Sequence, residues 1–312
     1  MSCPDRRATL ISVYGPAKAR QEMSTRQLTI DEAHPTAGAP RAGEPAGRLV
    51  ADRYRLRALL GRGGMGRVWL AEDEVLRRSV ALKQILLNGL HSAKLRAEAW
   101  ECAIREARAA ARVDHIGAVR VYDIVDDDRC PWIVMEPLSG RTLHEALDAD
   151  GPLPVDEVAR VGLCLLDVLQ ATHEAGVVHL DVKPSNVHLC DDARVVLTDF
   201  GIACAIDDIP SATDTLAGSP AYVAPERVDS GEFGPASDLY SLGATLFAAV
   251  EGRPPFDRGS VHATFTAVVN DAPAPFKHAG PLRPVIEGLL AKDPRRRLST
   301  EQTRAALHRC SG

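Results

Sequence analysis

The chain changes texture once, at LSGR (138–141), and that change narrows the folds open to it. Upstream, apolar residues recur at every second position. Tyr54, Leu56, Ala58 and Leu60 alternate in RYRLRALLG, and RVWLAED and SVALKQIL continue the pattern. A period of two puts one face of a strand on a core, so three short strands are expected between 53 and 87. Two more fit AVRVYDIVDD and PWIVMEP, and a helix rich in Ala, Glu and Arg fits about 92–112 between the two groups. Downstream, long helices dominate at 155–175, 236–251 and 281–291, with one β interruption at 177–198. Strands first and helices second imply an α+β chain: a small sheet-rich lobe, a short hinge and a larger helical lobe, with a cleft between the lobes.

Composition is that of a folded domain and argues against several classes of function. With 37 basic and 42 acidic residues the net charge is -5, which offers no whole-molecule attraction to nucleic acid or an anionic membrane. The longest apolar run, LGATLFAAV (242–250), is far short of the ~18 residues that a membrane span needs. The opening MSCPDRRATLISVYG lacks the continuous apolar stretch of a secretory leader. The seven cysteines (3, 102, 130, 164, 190, 204 and 310) form no CxxC pair, so reduced thiols in the cytoplasm are expected. DEAHPTAGAPRAGEPAGR (31–48) has no Val, Ile, Leu, Phe, Tyr or Trp and cannot offset its ordering entropy by burial, so 1–48 reads as a flexible tail. Met23, opening MSTRQLTI, is a second candidate start.

GRGGMGRV carries Gly61, Gly63 and Gly66 in a G-x-G-x-x-G. A dinucleotide fold would start a helix at the third glycine, whereas RVWLAED reads as a strand; a Walker loop fails because no Gly-Lys-Ser/Thr follows. What remains is a glycine hairpin between strands, either a plain tight turn or a flap whose bare backbone lies over phosphates. Lys83, in the apolar VALK, either snorkels at a strand end or needs an anionic partner. Glu106 supplies a candidate: it shares a stripe with Ala99, Ala103, Ala110 and Val113, and no basic residue stands three or four positions away on its own helix.

Asp181, Lys183 and Asn186 in HLDVKPSN and Asp199 in TDFG lie around what reads as a β-hairpin. Asn186 and Asp199 offer two oxygens to a hard ion such as Mg²⁺ bridging phosphates. Asp181 suits a base accepting a hydroxyl proton, and Lys183 suits charge neutralisation on a transferring group. Phosphoryl transfer asks little more of a protein than such positioning and charge.

These motifs, with APE at 224–226, occur in the order of the protein kinase signature set. Over about 53–309 the wording (GRGGMGRVW, REARAAARVDH, DVKPSNV, GSPAYVAPE) most resembles bacterial Hanks-type, eukaryotic-like serine/threonine kinases. The resemblance implies a bilobal fold with an N-lobe at 53–135, a hinge at 136–140 and a C-lobe at 141–309, and the active site in the cleft. It implies ATP as phosphoryl donor with Mg²⁺, or Mn²⁺ in its place. Leu60, Gly61, Arg62, Gly63, Gly64, Met65, Gly66, Arg67 and Val68 would cover the nucleotide, with Ala81 and Val68 on the adenine. Lys83 would hold phosphates and pair with Glu106; Met135 would be the gatekeeper, and Glu136 to Leu138 the hinge contacts. Asp181 would be the catalytic base assisted by Lys183, and Asn186 and Asp199 the metal ligands. Asp238 would brace the catalytic loop, and Glu226 would pair with Arg297. Ser211, Thr213, Thr215 and Ser219 would belong to the activation segment, with self-phosphorylation through a transient homodimer. Lys183 and GSPAY mark the serine/threonine branch, acting on proteins whose identity the sequence does not give.

Three positions depart from the pattern. Leu180 replaces the Arg that usually precedes the catalytic Asp, Cys204 stands where a basic residue is common, and His188 replaces the Leu that floors the adenine pocket. None carries the chemistry, so an active enzyme is the leading expectation. A pseudokinase scaffold that binds nucleotide without turnover is the alternative suggested by Leu180 and His188. GSPAYVAPE, which resembles a peptide platform, argues against a third reading, a small-molecule kinase.

Overall fold

The computed structural model describes residues 47–63, 66–85, 93–128, 130–200 and 220–311. These lie within one unit, Pro45–Gly312. Six antiparallel strands form the first sheet: β1 Leu49–Val50, β2 Tyr54–Gly63, β3 Gly66–Asp73, β4 Arg78–Ile85, β5 Val121–Asp127 and β6 Cys130–Met135, in the order β1-β2-β3-β4-β6-β5. All five expected strands are present, and pairing begins slightly earlier, at Leu49. Val50, Tyr54, Leu56, Trp69, Val80, Leu82, Trp132 and Val134 form the apolar side of this sheet. By the period of two, Ala81 and Lys83 face the other way. Helix α1, Ala93–Ala111, packs on that second side, where Ala103 and Ala107 meet Ile85 and Ile133.

One expectation fails locally. Tyr54 and Leu56 are buried, but Leu60 is 50% exposed. The β2–β3 register slips between Leu56 and Ala58 and again between Leu59 and Gly61. An extra residue in one strand turns the following side chains over, so the alternation cannot be carried through to Leu60.

The helical lobe opens with a second sheet, β7 Arg141–Thr142, β8 Val187–Leu189 and β9 Val195–Leu197, and with α2 Leu143–Asp150 and α3 Val155–Glu174. Gly140 at φ +91 makes the entry possible: a Cβ there would lie 2.2 Å from the Leu189 carbonyl oxygen. Helices α4 Pro225–Asp229, α5 Pro235–Glu251, α6 Val261–Asn270, α7 Arg283–Leu289 and α8 Thr300–His308 complete it. Every residue from Ser237 to Glu251 is buried, so α5 is the central post of the lobe, as its all-round apolar sequence demands. Its last carboxylate, Glu251, is satisfied by the backbone N–H groups of Lys277, His278 and Ala279 at 2.8–3.0 Å. No helix among the described residues is long and apolar enough to cross a membrane.

Candidate active site

The loop 179–186, between α3 and β8, is shaped by a carboxylate in the first turn of α5. Asp238 is fully buried and accepts from His179 N–H at 2.9 Å and Leu180 N–H at 2.7 Å, with His173 Nε2 at 2.7 Å. A buried anion demands such partners, and here they hold Leu180 in the left-handed region at φ 66. The buried His179 ring spans the loop. Its Nε2 faces Thr198 O at 3.0 Å and its Nδ1 accepts from Asp181 N–H at 3.3 Å, which assigns the proton to Nε2. Burial lowers the His179 pKa, against the pull of Asp238 and Asp181, in keeping with that neutral ring.

Two further hydroxyls line the same face of α5, and the sequence reading missed them. Ser241 Oγ donates to Tyr222 O at 2.8 Å, and Thr245 Oγ1 lies 3.2 Å from Val182 O. Positions 238, 241 and 245 share a stripe at helical spacing. Polar residues in register on an otherwise apolar buried helix were the available signal.

The expected reacting groups converge on this loop. Lys183 Nζ lies 2.8 Å from Asp181 Oδ2. Asn186 Nδ2 donates to the Asp181 carbonyl at 2.8 Å and to Oδ2 at 2.9 Å. Thr198 N–H donates to Asn186 O at 2.9 Å, which brings the backbone leading into Asp199 beside Asn186. From the other lobe, Lys83 Nζ donates to Asp199 Oδ1 at 2.8 Å while only 5% exposed. Burial alone would raise the Asp199 pKa, but the charge and hydrogen bond of Lys83, and then Lys183, hold it below the usual carboxylate value. Gly66 is required where it stands, because a Cβ would fall 2.1 Å from Gln84 O; Gly61 has nothing within 4 Å of such an atom.

Ala81 pairs with Met135 and Val68 with Lys83 across the sheet, so these expected adenine-side residues lie together. Glu136, expected among the hinge contacts, has its side chain engaged within the protein. Its carboxylate accepts from Arg120 N–H at 3.0 Å and pairs with Arg194 at 3.2 Å, so it ties the hinge to the β8–β9 turn. A carboxylate this buried takes the nearest donors. His188, half-buried on β8, places Nε2 3.0 Å from Ser139 O in the hinge, and burial lowers its pKa.

Glu226, on α4, forms the expected bidentate pair with Arg297 at 2.9 and 3.0 Å and also accepts from Ser237 Oγ at 2.8 Å. Its neighbour Arg227, which the sequence reading did not single out, donates from Nη1 to Leu180 O at 2.7 Å. Gly64, Met65, Cys204, Ser211, Thr213, Thr215 and Ser219 lie outside the described residues, as do the side chains of Cys102 and Glu106.

Among the described residues no three His, Cys, Asp or Glu side chains form a metal cage. The donors fit a different kind of site. Asn186 commits its Nδ2 to Asp181, and Asp199 gives Oδ1 to Lys83, which leaves Asn186 Oδ1 and Asp199 Oδ2 as oxygens to offer a cation. Mg²⁺ commonly takes one or two such protein oxygens and completes its octahedron with phosphates and water.

Comparison with known proteins agrees with this geometry. The family model described as "Protein kinase domain" matches residues 54–307. The chain is 40% identical over 264 residues to the serine/threonine-protein kinase PksC of Streptomyces coelicolor, covering 80% of this chain and 47% of that protein. It is 32% identical over 262 residues to PrkC of Bacillus subtilis, covering 82% and 40%. Against PknA of Mycobacterium tuberculosis it is 35% identical over 260 residues, covering 80% and 58%. Each match spans less than two thirds of the relative.

Proposed function

The chain belongs to the protein kinase domain family, and from that premise we propose that it transfers the γ-phosphate of ATP to serine and threonine hydroxyls of proteins. The observation that carries this reading is the pair of 2.8 Å contacts, Lys83 with Asp199 and Lys183 with Asp181, around Asn186. Mg²⁺, when bound, would supply charge on the phosphates as the bond to the leaving group breaks. Asn186 and Asp199 would hold it, and Lys83 would orient the phosphate chain. The Asp181 carboxylate would take the hydroxyl proton as the oxygen attacks phosphorus, with Asn186 fixing its orientation and Lys183 offsetting charge on the transferring group. His188 and Leu138 are assigned to the adenine site, 53–309 to the catalytic unit, and the cytoplasm to its place of action. The catalytic loop is of the type without Arg before the base, since Leu180 stands there.

Incubation with γ-labelled ATP, Mg²⁺ and a generic protein substrate tests the reading. Label on serine and threonine of the substrate, or of the chain itself through transient pairing of two copies, is the expected result. Stoichiometric nucleotide binding with no transferred label would replace it with the scaffold reading.

A further inference from the structure

We propose that Arg227 is a positioning residue for Asp181, an inference that rests on the phosphoryl-transfer reading of the site. The peptide joining Leu180 to Asp181 follows a residue at φ 66, a conformation that a Leu side chain disfavours. Three groups hold this turn. Asp238 Oδ1 accepts from Leu180 N–H at 2.7 Å, and His179 Nδ1 accepts from Asp181 N–H at 3.3 Å. The remaining polar group is the Leu180 carbonyl, which receives the Arg227 guanidinium at 2.7 Å. Only that third partner is a cation, and charge-assisted bonds are the stronger kind. Leu180 itself is 4% exposed and apolar, so the positive charge beside the base's peptide comes from another element.

That element is itself fixed. Arg227 follows Glu226 on α4, and Glu226 is clasped by Arg297 at 2.9 and 3.0 Å. Successive residues of a helix point about 100° apart, so one turn grips the lobe with Glu226 and the catalytic loop with Arg227. The link runs Arg297, Glu226, Arg227, Leu180 carbonyl, Asp181. Without the guanidinium the peptide plane can rotate, and the Asp181 carboxylate leaves the line of the hydroxyl proton, to which general-base catalysis is sensitive.

The test compares kcat, the KM for ATP and nucleotide-binding stoichiometry in wild type, Arg227→Met and Arg227→Lys. Arg227→Met should lower kcat per nucleotide-binding site by at least tenfold, about 1.4 kcal/mol of barrier, with the KM for ATP within about twofold. Arg227→Lys, which restores a charged donor, should recover to within about threefold of wild type. A variant that merely folds poorly loses binding sites while each remaining site keeps its kcat. That result, or Arg227→Lys as slow as Arg227→Met, would overturn the positioning role. Wild type without transfer would overturn the phosphoryl-transfer reading and this inference with it, whereas wild-type turnover matched by Arg227→Met would overturn the inference alone.

Discussion

Lys83 Nζ stands 2.8 Å from Asp199 Oδ1, joining β4 of the sheet lobe to a residue two positions beyond β9 in the helical lobe. An ammonium this buried is tolerable only with an anion beside it. Lys83→Met should therefore remove both the phosphate-orienting charge and the influence that holds the Asp199 pKa low. Phosphoryl transfer is expected to fall at least ~100-fold, the scale seen when a preorganised charge is deleted from an active site. Because Met fills a similar volume, the thermal midpoint should move little; single-turnover transfer and a melting curve on the same preparation check the two halves of the statement.

Asp181→Asn keeps the side chain's size and an oxygen for Asn186 Nδ2, which donates to Asp181 at 2.9 Å. It removes the carboxylate proposed as the base. Transfer should drop by ~10²–10⁴, the usual contribution of a positioned base, while nucleotide binding survives because the proton belongs to the protein hydroxyl. Labelling at the wild-type rate would sink the assignment.

A third expectation concerns stability and pH. Asp73, fully buried at the end of β3, accepts from Arg53 at 2.9 and 2.7 Å and from Val75 and Leu76 N–H at 3.1 Å. The Arg53 bond, opposed by burial, brings its pKa down from 3.8 to about 2. A folded value below the unfolded one gives stability that is present above pH 3.8 and lost as pH falls towards 2. Asp73→Ala should destabilise by about 2 kcal/mol at neutral pH, since it leaves the Val75 and Leu76 N–H groups without their acceptor and Arg53 with only Asp123, at 3.6 Å. Urea unfolding at pH 7 and pH 3 should show that gap narrowing in acid.

Much of this was legible before any coordinate. The change of period at 138–141 separates two lobes, and ordered motifs carry Asp181, Asn186, Asp199 and Lys83 to one place. Leu60 was misread because bulges are backbone events that leave the residue pattern intact. Short helices such as α4 and α8 were missed because a turn or two gives too few positions for a period to show. Arg227 was missed for another reason: its role depends on a carbonyl 47 positions away, and backbone acceptors have no sequence signature. The partners of the Glu136 carboxylate, Arg120 N–H and Arg194, come from two other segments and have no sequence signature either.

His188 supplies a fourth test. Its Nε2 donates to Ser139 O at 3.0 Å, so the ring is held against the hinge and is not turned out to solvent. Burial puts its pKa below the usual imidazole value. In the range just under ~6.5 the unfolded or rearranged ring gains a proton before the native one, so acid works against the native arrangement. ATP affinity should therefore weaken below about pH 6 in wild type, and His188→Leu should bind ATP as tightly or more tightly at neutral pH while losing that acid dependence. Superimposable KM–pH profiles for the two proteins would refute the proposed place of His188 under the adenine.

The last expectation concerns the switch that usually accompanies a cation before the catalytic Asp. A phosphate on an activation segment orders it by charge-assisted bonds to that cation and its neighbours. Here Leu180 is buried and apolar, Cys204 stands at the other position where a basic residue is common, and Arg227 already donates to the Leu180 carbonyl at 2.7 Å. Asp181 also has its charge balanced without a phosphate, by Lys183 at 2.8 Å. Phosphates on Ser211, Thr213 or Thr215 should therefore not turn the enzyme on. The triple variant Ser211→Ala, Thr213→Ala, Thr215→Ala should keep activity toward a generic protein substrate within about threefold, well under the ~1.4 kcal/mol of a tenfold step. A tenfold or greater loss that acidic replacements restore would show a basic group receiving the phosphate. Arg227→Met in that background would then report whether the guanidinium serves both the Leu180 carbonyl and the modified segment.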